Sequence, residues 1–323
     1  MDGWADLVEV TRGGMVESVH RGAAVVADAR GVVEAWGDPA RVIFPRSSCK
    51  MIQALPLVES GAADGLSDRH LALACASHQG AARHVDLVTD WLAAEGLGEE
   101  DLRCGAHLPY AEEAARDLIR AGRAPDQRHN NCSGKHAGFL TLNRRLGGGA
   151  EYVEVDHPVQ RAVRDAFEAV TGMESPGWGV DGCSAPNFAT RLDALAGGMA
   201  RFAAATEDGA RGRAMVRLRG AMAAHPDLVA GEGRACTGLM RAMDGVAVKT
   251  GAEAVFVAIL PARGLGVAVK IADGGTRAAE AVIAALLVRL GALDAEHPEA
   301  VRLMRGPIVN RRGIETGGYR VTL

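Results

Sequence analysis

The stretch AVFVAILPARGLGVAVKIADGGTRAAEAVIAALLVRLGAL, residues 254–293, decides how this chain folds. Two short apolar runs, AVFVAIL (254–260) and GVAVKIAD (266–273), are rich in β-branched residues and bracket PARGLG, whose proline and glycines predict a hairpin turn. Thr276 then predicts the cap of a strongly apolar helix. The amino-terminal end carries the same signature. Residues 6–27 alternate in β-like runs (LVEV, SVHRGAAVVADA), and GVVEAWGD continues them after a turn at Arg30-Gly31.

Between these ends the period changes. FPRSSCKMIQALPLVESG (44–61) switches to helical spacing, with Ile52, Leu55, Leu57 and Val58 on one side, Ser47 or Ser48 as N-cap and an end near Gly61. From 68 to 245 the chain reads mainly as helices, among them 82–96, 158–171 opened by Pro158, and 207–224 closed before Pro226. Polar segments 127–138 and 179–188 interrupt that run as loops or helix starts. Strand-rich ends around a helical middle predict an α/β (α+β) fold, an antiparallel sheet built from both termini and flanked by helices. The expected organisation is one catalytic domain over 1–323, with a sheet lobe from about 1–45 and 246–323 and a mainly helical lobe over about 46–245.

Composition narrows the function. Hydrophobic residues make up 48% and charged residues 24% of 323, the balance of a globular protein with a real core. Net charge is -4 and no basic run occurs, which argues against nucleic acid and anionic membrane as partners. The first residues, MDGWADLVEVTRGG, lack the apolar core of a signal peptide, and no apolar stretch approaches the roughly 20 residues of a membrane span, so a cytoplasmic protein is expected. Six dispersed cysteines read as reduced thiols or metal ligands. Of 36 basic residues only four are lysine: Lys50, Lys135, Lys249 and Lys270. A lysine kept against such an arginine bias marks a place where arginine cannot substitute, because only lysine can deprotonate and act as a base.

Three of those lysines fall in polar motifs. Ser47-Ser48-Cys49-Lys50 places a hydroxyl and an amine three residues apart, the S-x-x-K arrangement of serine acyl enzymes. Its bland reading is a helix cap. Lys249-Thr250-Gly251 stands just before a predicted strand, and S-x-x-K early with K-T-G late is the order of that enzyme class. An S-D-N element between them is missing, which counts against a penicillin-recognising enzyme; in its place Ala76-Ser77-His78-Gln79-Gly80 offers Ser77 as a partner for Lys249. The third group is Asn130-Asn131-Cys132-Ser133-Gly134-Lys135-His136, with Asp181-Gly182-Cys183-Ser184 further on. Two cysteines fall short of the usual three or four zinc ligands, so the residues alone favour buried free thiols over a metal site.

In this order, FPRSSCKMIQALPLVESG, LALACASHQG, HNNCSGKHAGFL, DHPVQ, DGCSAPNFA, HPDLVAGEGR and VKTGAEAVF make the whole chain resemble the rhizobial-type L-asparaginases. The resemblance implies a fold like that of serine β-lactamases and glutaminases, a homodimer, and hydrolysis of L-asparagine to L-aspartate and ammonia. It implies two Ser–Lys pairs, Ser47 with Lys50 and Ser77 with Lys249. It also implies a Zn²⁺ site on Cys132, Lys135 and Cys183 that supports substrate binding beside the pocket, reversing the plain-thiol reading. Ala81 after Gly80 departs from the acidic residue common in the family. Motif proximity and chemistry make Asp181 the expected partner of the substrate ammonium, and Arg46 or His136 that of its carboxylate. Two rival readings remain: another Ser–Lys amidohydrolase (a glutaminase or β-lactam hydrolase), and a non-catalytic amino-acid or zinc-binding protein.

Overall fold

The computed structural model describes residues 3–323. Its strands are β1 (Ala5–Arg12), β2 (Met15–Asp28), β3 (Gly31–Trp36), β4 (Val42–Ile43), β5 (Trp178–Val180), β6 (Pro186–Phe188), β7 (Thr190–Arg191), β8 (Ala247–Gly251), β9 (Val255–Leu260), β10 (Leu265–Ile271), β11 (Ile308–Val309) and β12 (Glu315–Val321). The chain forms two compact units. A sheet unit holds the residues up to Ser48, Thr190–Ala204 and Gly238–Leu323; a helical unit holds Cys49–Ala189 and Ala205–Thr237.

In the sheet unit the strand order is β11-β12-β1-β2-β10-β9-β8, all antiparallel, with β3 also paired to β2. The two termini meet in it, Val8 facing Val321 and Val10 facing Tyr319. The hairpin read at 261–266 aligns Val267 with Ala258 and Ala268 with Val257, and β10 then pairs with β2 at Val267↔Val26. Every residue of β9 is buried, which a strand achieves only when both faces are covered. Helices Leu192–Ala204 and Thr276–Arg289 provide that cover. At Gly266 a Cβ would lie 2.1 Å from the Ala200 amide nitrogen, so the bare glycine lets the helix backbone settle onto the sheet. Thr276–Arg289 is buried on several sides because helix Pro298–Arg305 packs on it as well.

Several expectations change in detail. Residues 192–204 belong with the sheet unit, although their periodicity placed them in the helical run; Leu192, Leu195, Ala196 and Met199 are buried there. Thr276 is the first helical residue, and Gly275 occupies the cap. The helix read over 44–61 is broken into a 3-10 turn Arg46–Cys49 and helices Lys50–Gln53 and Leu55–Glu59. Pro56 explains the second break, since it has no N–H for the Ile52 carbonyl. Neither serine caps the helix: Cys49 stands at that position, and the Ser48 hydroxyl donates back to Pro45 O at 2.7 Å.

The helical unit is built from helices Asp68–Ala74, Ala82–Ala94, Ser133–Leu146, Pro158–Thr171 and Gly209–Ala224. Segment 127–138 is indeed a helix start, and 179–188 is the β5–β6 hairpin with Trp178 facing Phe188. Among the described residues no helix is long and apolar enough to cross a membrane.

Candidate active site

The helical unit gathers the polar groups that the sequence singled out. Lys50 opens a short helix and is 1% exposed. Its ammonium nitrogen donates to Ala76 O at 2.5 Å, to Ser77 Oγ at 3.2 Å and to Cys132 Sγ at 3.0 Å. A buried amine needs such acceptors, because burial without hydrogen bonds would be prohibitive. Ser77 follows the end of helix Asp68–Ala74 and is held by backbone bonds on both sides. Its N–H reaches Val229 O at 2.9 Å, and the His78 N–H reaches Asn131 O at 3.1 Å. The second bond ties the Ser77 segment to the turn that presents Cys132.

His78 is a neutral strut in this arrangement. It accepts from Gly80 N–H at Nδ1 (3.1 Å), and its Nε2 lies 2.9 Å from Ser133 Oγ, whose own hydrogen goes to Arg128 O. Nε2–H is therefore the donor. Complete burial pushes its pKa well down, and the parallel His84 ring at 4.8 Å adds to the shift.

Two thiols and a second lysine form the adjoining cluster. Lys135, on the first turn of helix Ser133–Leu146, donates to Cys183 Sγ at 3.0 Å. Burial alone would lower the Lys135 pKa, but the sulfurs of Cys183 and Cys132 outweigh it and the net shift is upward. Cys183 is lowered well below the ordinary thiol range by its hydrogen bond with Cys132, assisted by the Lys135 charge. Cys132 is raised by the same bond and by burial. The two sulfurs thus share one hydrogen bond and shift in opposite directions. Cys49 and Cys104, by contrast, are pushed up to about 12, chiefly by burial, and are inert.

The β5–β6 hairpin delivers Cys183. Its turn closes through Ser184 N–H to Asp181 O and Asp181 N–H to Ala185 O, both 2.9 Å, and Ser184 takes a left-handed φ of 69° to make it. Asp181 sits half-buried on this turn, and its charge raises Lys135. His136 is fully buried and its pKa falls to about 4, mainly from desolvation.

The remaining expected residues lie in the sheet unit. Ser47 is half-buried in the 3-10 turn, and Arg46 before it adopts φ 53°, an uncommon conformation for a side-chain-bearing residue. Lys249, on β8, is 1% exposed and donates to Thr250 O at 2.8 Å. A Cβ on Gly251 would stand 2.7 Å from Pro45 O and 2.9 Å from Ser48 N. The glycine of K-T-G is what lets the Ser47 turn pack against β8. The described contacts thus put the Lys50 amine on Ser77 Oγ, and the Gly251 backbone against the Ser47 turn. The sequence expected the pairs Ser47–Lys50 and Ser77–Lys249.

Two participants were missed in the sequence. Tyr152 is fully buried, with its hydroxyl 2.9 Å from His136 Nδ1, and His84 stacks on His78. Tyrosine scarcity, three in the chain, was the one available signal for the first. A cavity of about 500 Å³ in the helical unit, lined by Asp86, Thr89, Asp117, Arg123, Arg128 and His129, touches the site loop only at Gly80.

Among the described residues no group of three or more His, Cys, Asp or Glu side chains gathers to hold a metal. A zinc ion would therefore need Lys135 beside Cys132 and Cys183. That donor set fits in kind: sulfur and nitrogen suit Zn²⁺, and Lys135 Nζ lies 3.0 Å from Cys183 Sγ.

The family model described as L-asparaginase II matches residues 8–321. Curated proteins give no match. Among solved structures, the chain is similar to a β-lactamase from Mycobacterium bovis, at 14% identity and TM-score 0.38, covering 83% of this chain and 94% of that one. It is also similar to Mglu in its tris and glutamate form, at 13% identity and TM-score 0.44, covering 91% of this chain and 65% of that one.

Proposed function

This chain belongs to the L-asparaginase II family, and from that premise we propose that it hydrolyses L-asparagine to L-aspartate and ammonia through a Ser–Lys acyl-enzyme. The family supports an asparaginase-type amidohydrolase. The single observation behind the mechanism is the buried amine of Lys50 on the Ser77 hydroxyl at 3.2 Å, a base and a hydroxyl sealed from bulk water.

In this reading Lys50, as the free amine, accepts the Ser47 proton while Ser47 Oγ bonds to the side-chain amide carbon. Backbone N–H groups at the helix start stabilise the oxyanion. The lysine proton passes to the amide nitrogen, the C–N bond breaks and ammonia leaves; water then cleaves the ester and restores the serine. Ser77, hydrogen-bonded to Lys50, and Lys249 relay protons or orient the substrate. Asp181 takes the substrate ammonium, and Arg46 or His136 its carboxylate.

Zinc on Cys132, Lys135 and Cys183 would supply a Lewis-acidic centre beside the substrate pocket that supports substrate binding. The same reading, of rhizobial type, carries a homodimer and a cytoplasmic location; six buried cysteines dispersed along the chain suit a reducing compartment.

A second reading is favoured by the same hydrogen bond: Ser77, already on Lys50, is the nucleophile and Ser47 the relay. Ammonia release by Ser47→Ala and Ser77→Ala separates the two. The first reading expects Ser47→Ala to lose about 10³-fold or more in kcat and Ser77→Ala less. The reverse order moves the nucleophile to Ser77, and near-normal turnover by both variants would overturn the mechanism. Parallel assays of glutamine and a chromogenic β-lactam decide the substrate.

A further inference from the structure

The cavity of about 500 Å³ in the helical unit takes no part in the Ser–Lys chemistry, yet its size falls within the range of about 300–1,000 Å³ usual for small-molecule sites. Helix Ala82–Ala94 contributes Asp86 and Thr89 to it, and helix Glu112–Arg120 contributes Asp117. Some of its charges are already engaged. Asp117 pairs with Arg120 at 2.9 Å, and Arg128 is held by the Asp126 carboxylate and reaches Thr89 Oγ1 at 3.2 Å. The Asp86 carboxylate and the Arg123 guanidinium, in contrast, make no hydrogen bond or ion pair among the described residues, with each other included. Both are exposed, and exposed charges alone make no site. His129 supplies the further observation. It lines the same cavity at only 7% exposure. Asp126 occupies its Nδ1, through the backbone nitrogen at 3.1 Å and Oδ1 at 3.0 Å, and Nε2 has no partner among the described residues. Polar atoms of so buried a side chain are seldom left open unless a ligand or water completes them. The open groups are thus one carboxylate, one guanidinium and one ring nitrogen that donates or accepts as its tautomer sets. A simple anion would meet Asp86 and a simple cation would meet Arg123, each as a like charge. A zwitterion with a short polar side chain satisfies all three.

We propose that this cavity is an accessory site for a small polar α-amino acid, with its carboxylate on Arg123, its ammonium on Asp86 and its side chain on His129 Nε2, and that occupancy is felt at Ser77 through His78. The cavity wall holds both ring nitrogens of His78. Gly80, which lines the cavity, donates its N–H to Nδ1 at 3.1 Å. Ser133 Oγ, 2.9 Å from Nε2, donates to the carbonyl of Arg128 at 2.9 Å. Gly80 also lies flat against His129: at its φ of 69° a Cβ would stand 2.8 Å from His129 O. A ligand that draws Arg128 and His129 inward therefore pulls on His78 from two sides, and the adjacent Ser77 carries the bond to Lys50. The link to turnover rests on the asparaginase reading; the binding does not.

The test uses the full chain labelled with ¹⁵N-histidine and titrated with L-serine, the His129 ring signals being assigned by comparison with His129→Gln. A saturable shift at His129 is expected, with affinity weakened about tenfold by Asp86→Ala and by Arg123→Ala, two exposed positions whose truncation spares the fold. The analogue β-hydroxypropionate lacks the ammonium and ethanolamine lacks the carboxylate; each should bind about tenfold more weakly than L-serine. No saturable shift, a shift that survives both substitutions, or equal binding of either analogue overturns the proposal. In ammonia-release assays Arg123→Ala should keep the wild-type kcat when L-serine is absent. Added L-serine should change kcat/KM for asparagine about fivefold in the wild type and leave Arg123→Ala unchanged. No effect in the wild type, or an equal effect in both proteins as competition in the catalytic pocket would give, overturns the link to Ser77. If the wild type turns over no asparagine, the asparaginase reading fails while the His129 titration still decides the site.

Discussion

In the sheet unit the buried side chains of β2, β9 and β10 are aliphatic or aromatic with few exceptions, whereas the helical unit closes over Lys50, Ser77, His78, Lys135 and His136. The first needs only shape: Ala23–Ala27, Val255–Leu260 and the helix lying on Gly266 fill space without a polar atom to satisfy. The second needs every donor and acceptor matched, because a buried polar group without a partner costs on the order of 1–3 kcal/mol. The difference separates strands where mutations act through packing from a buried polar cluster where, in the proposed reading, they act through chemistry.

Three measurements would break or sharpen that contrast. The largest effect is expected from Lys50→Met, which keeps most of the length of the side chain and removes its amine. Ammonia release should fall by roughly 10³-fold while far-UV circular dichroism is unchanged. Retained turnover would strip Lys50 of its role and leave the helical unit a mere polar core.

Next comes Gly266→Ala, in the scaffold. Its new Cβ meets the Ala200 nitrogen at 2.1 Å and the Ala196 oxygen at 2.3 Å, backbone atoms that cannot step aside singly. A loss of about 3 kcal/mol in denaturant unfolding is expected, with activity per folded molecule nearly intact. A neutral result would mean that helix 192–204 shifts freely on the sheet.

The smallest effect is a pH dependence of stability from the helical unit. His78 and His84 both have folded pKa values lowered by burial. The unfolded chain takes up protons near pH 6.5 and the native state does not. Stability should therefore be full above about pH 6.5 and decline below it, by at most about 1.4 kcal/mol per pH unit for each histidine that stays neutral. His84→Asn should flatten the decline between pH 6.5 and 5, as read from urea midpoints; an unchanged slope would show that other groups drive it.

Much of the scaffold was legible in the sequence because its signals are local. Pro158 opens its helix where read, and the strand–turn–strand at 254–273 pairs as written, since β-branched runs and a Pro/Gly turn act within a few residues. Residues 192–204 were misplaced because apolar helical periodicity says that a helix is buried, not against what. The short β5–β6 hairpin escaped for a different reason: three-residue strands carry too little pattern to read.

For the site, the sequence by itself determined the inventory: scarce lysines, the S-x-x-K and K-T-G segments, and the cysteines set among polar residues. Tertiary structure alone decided the partners. Lys50 meets Ser77 and Cys132, Lys135 meets Cys183, Gly251 meets the Ser47 turn, and Tyr152 meets His136. Spacing can place two groups on one helical turn, but a hydrogen bond between distant segments depends on how each backbone is held. Here that is set by a 3-10 turn in place of a capped helix, a hairpin closed by Ser184, and the burial that makes each unmatched donor seek an acceptor.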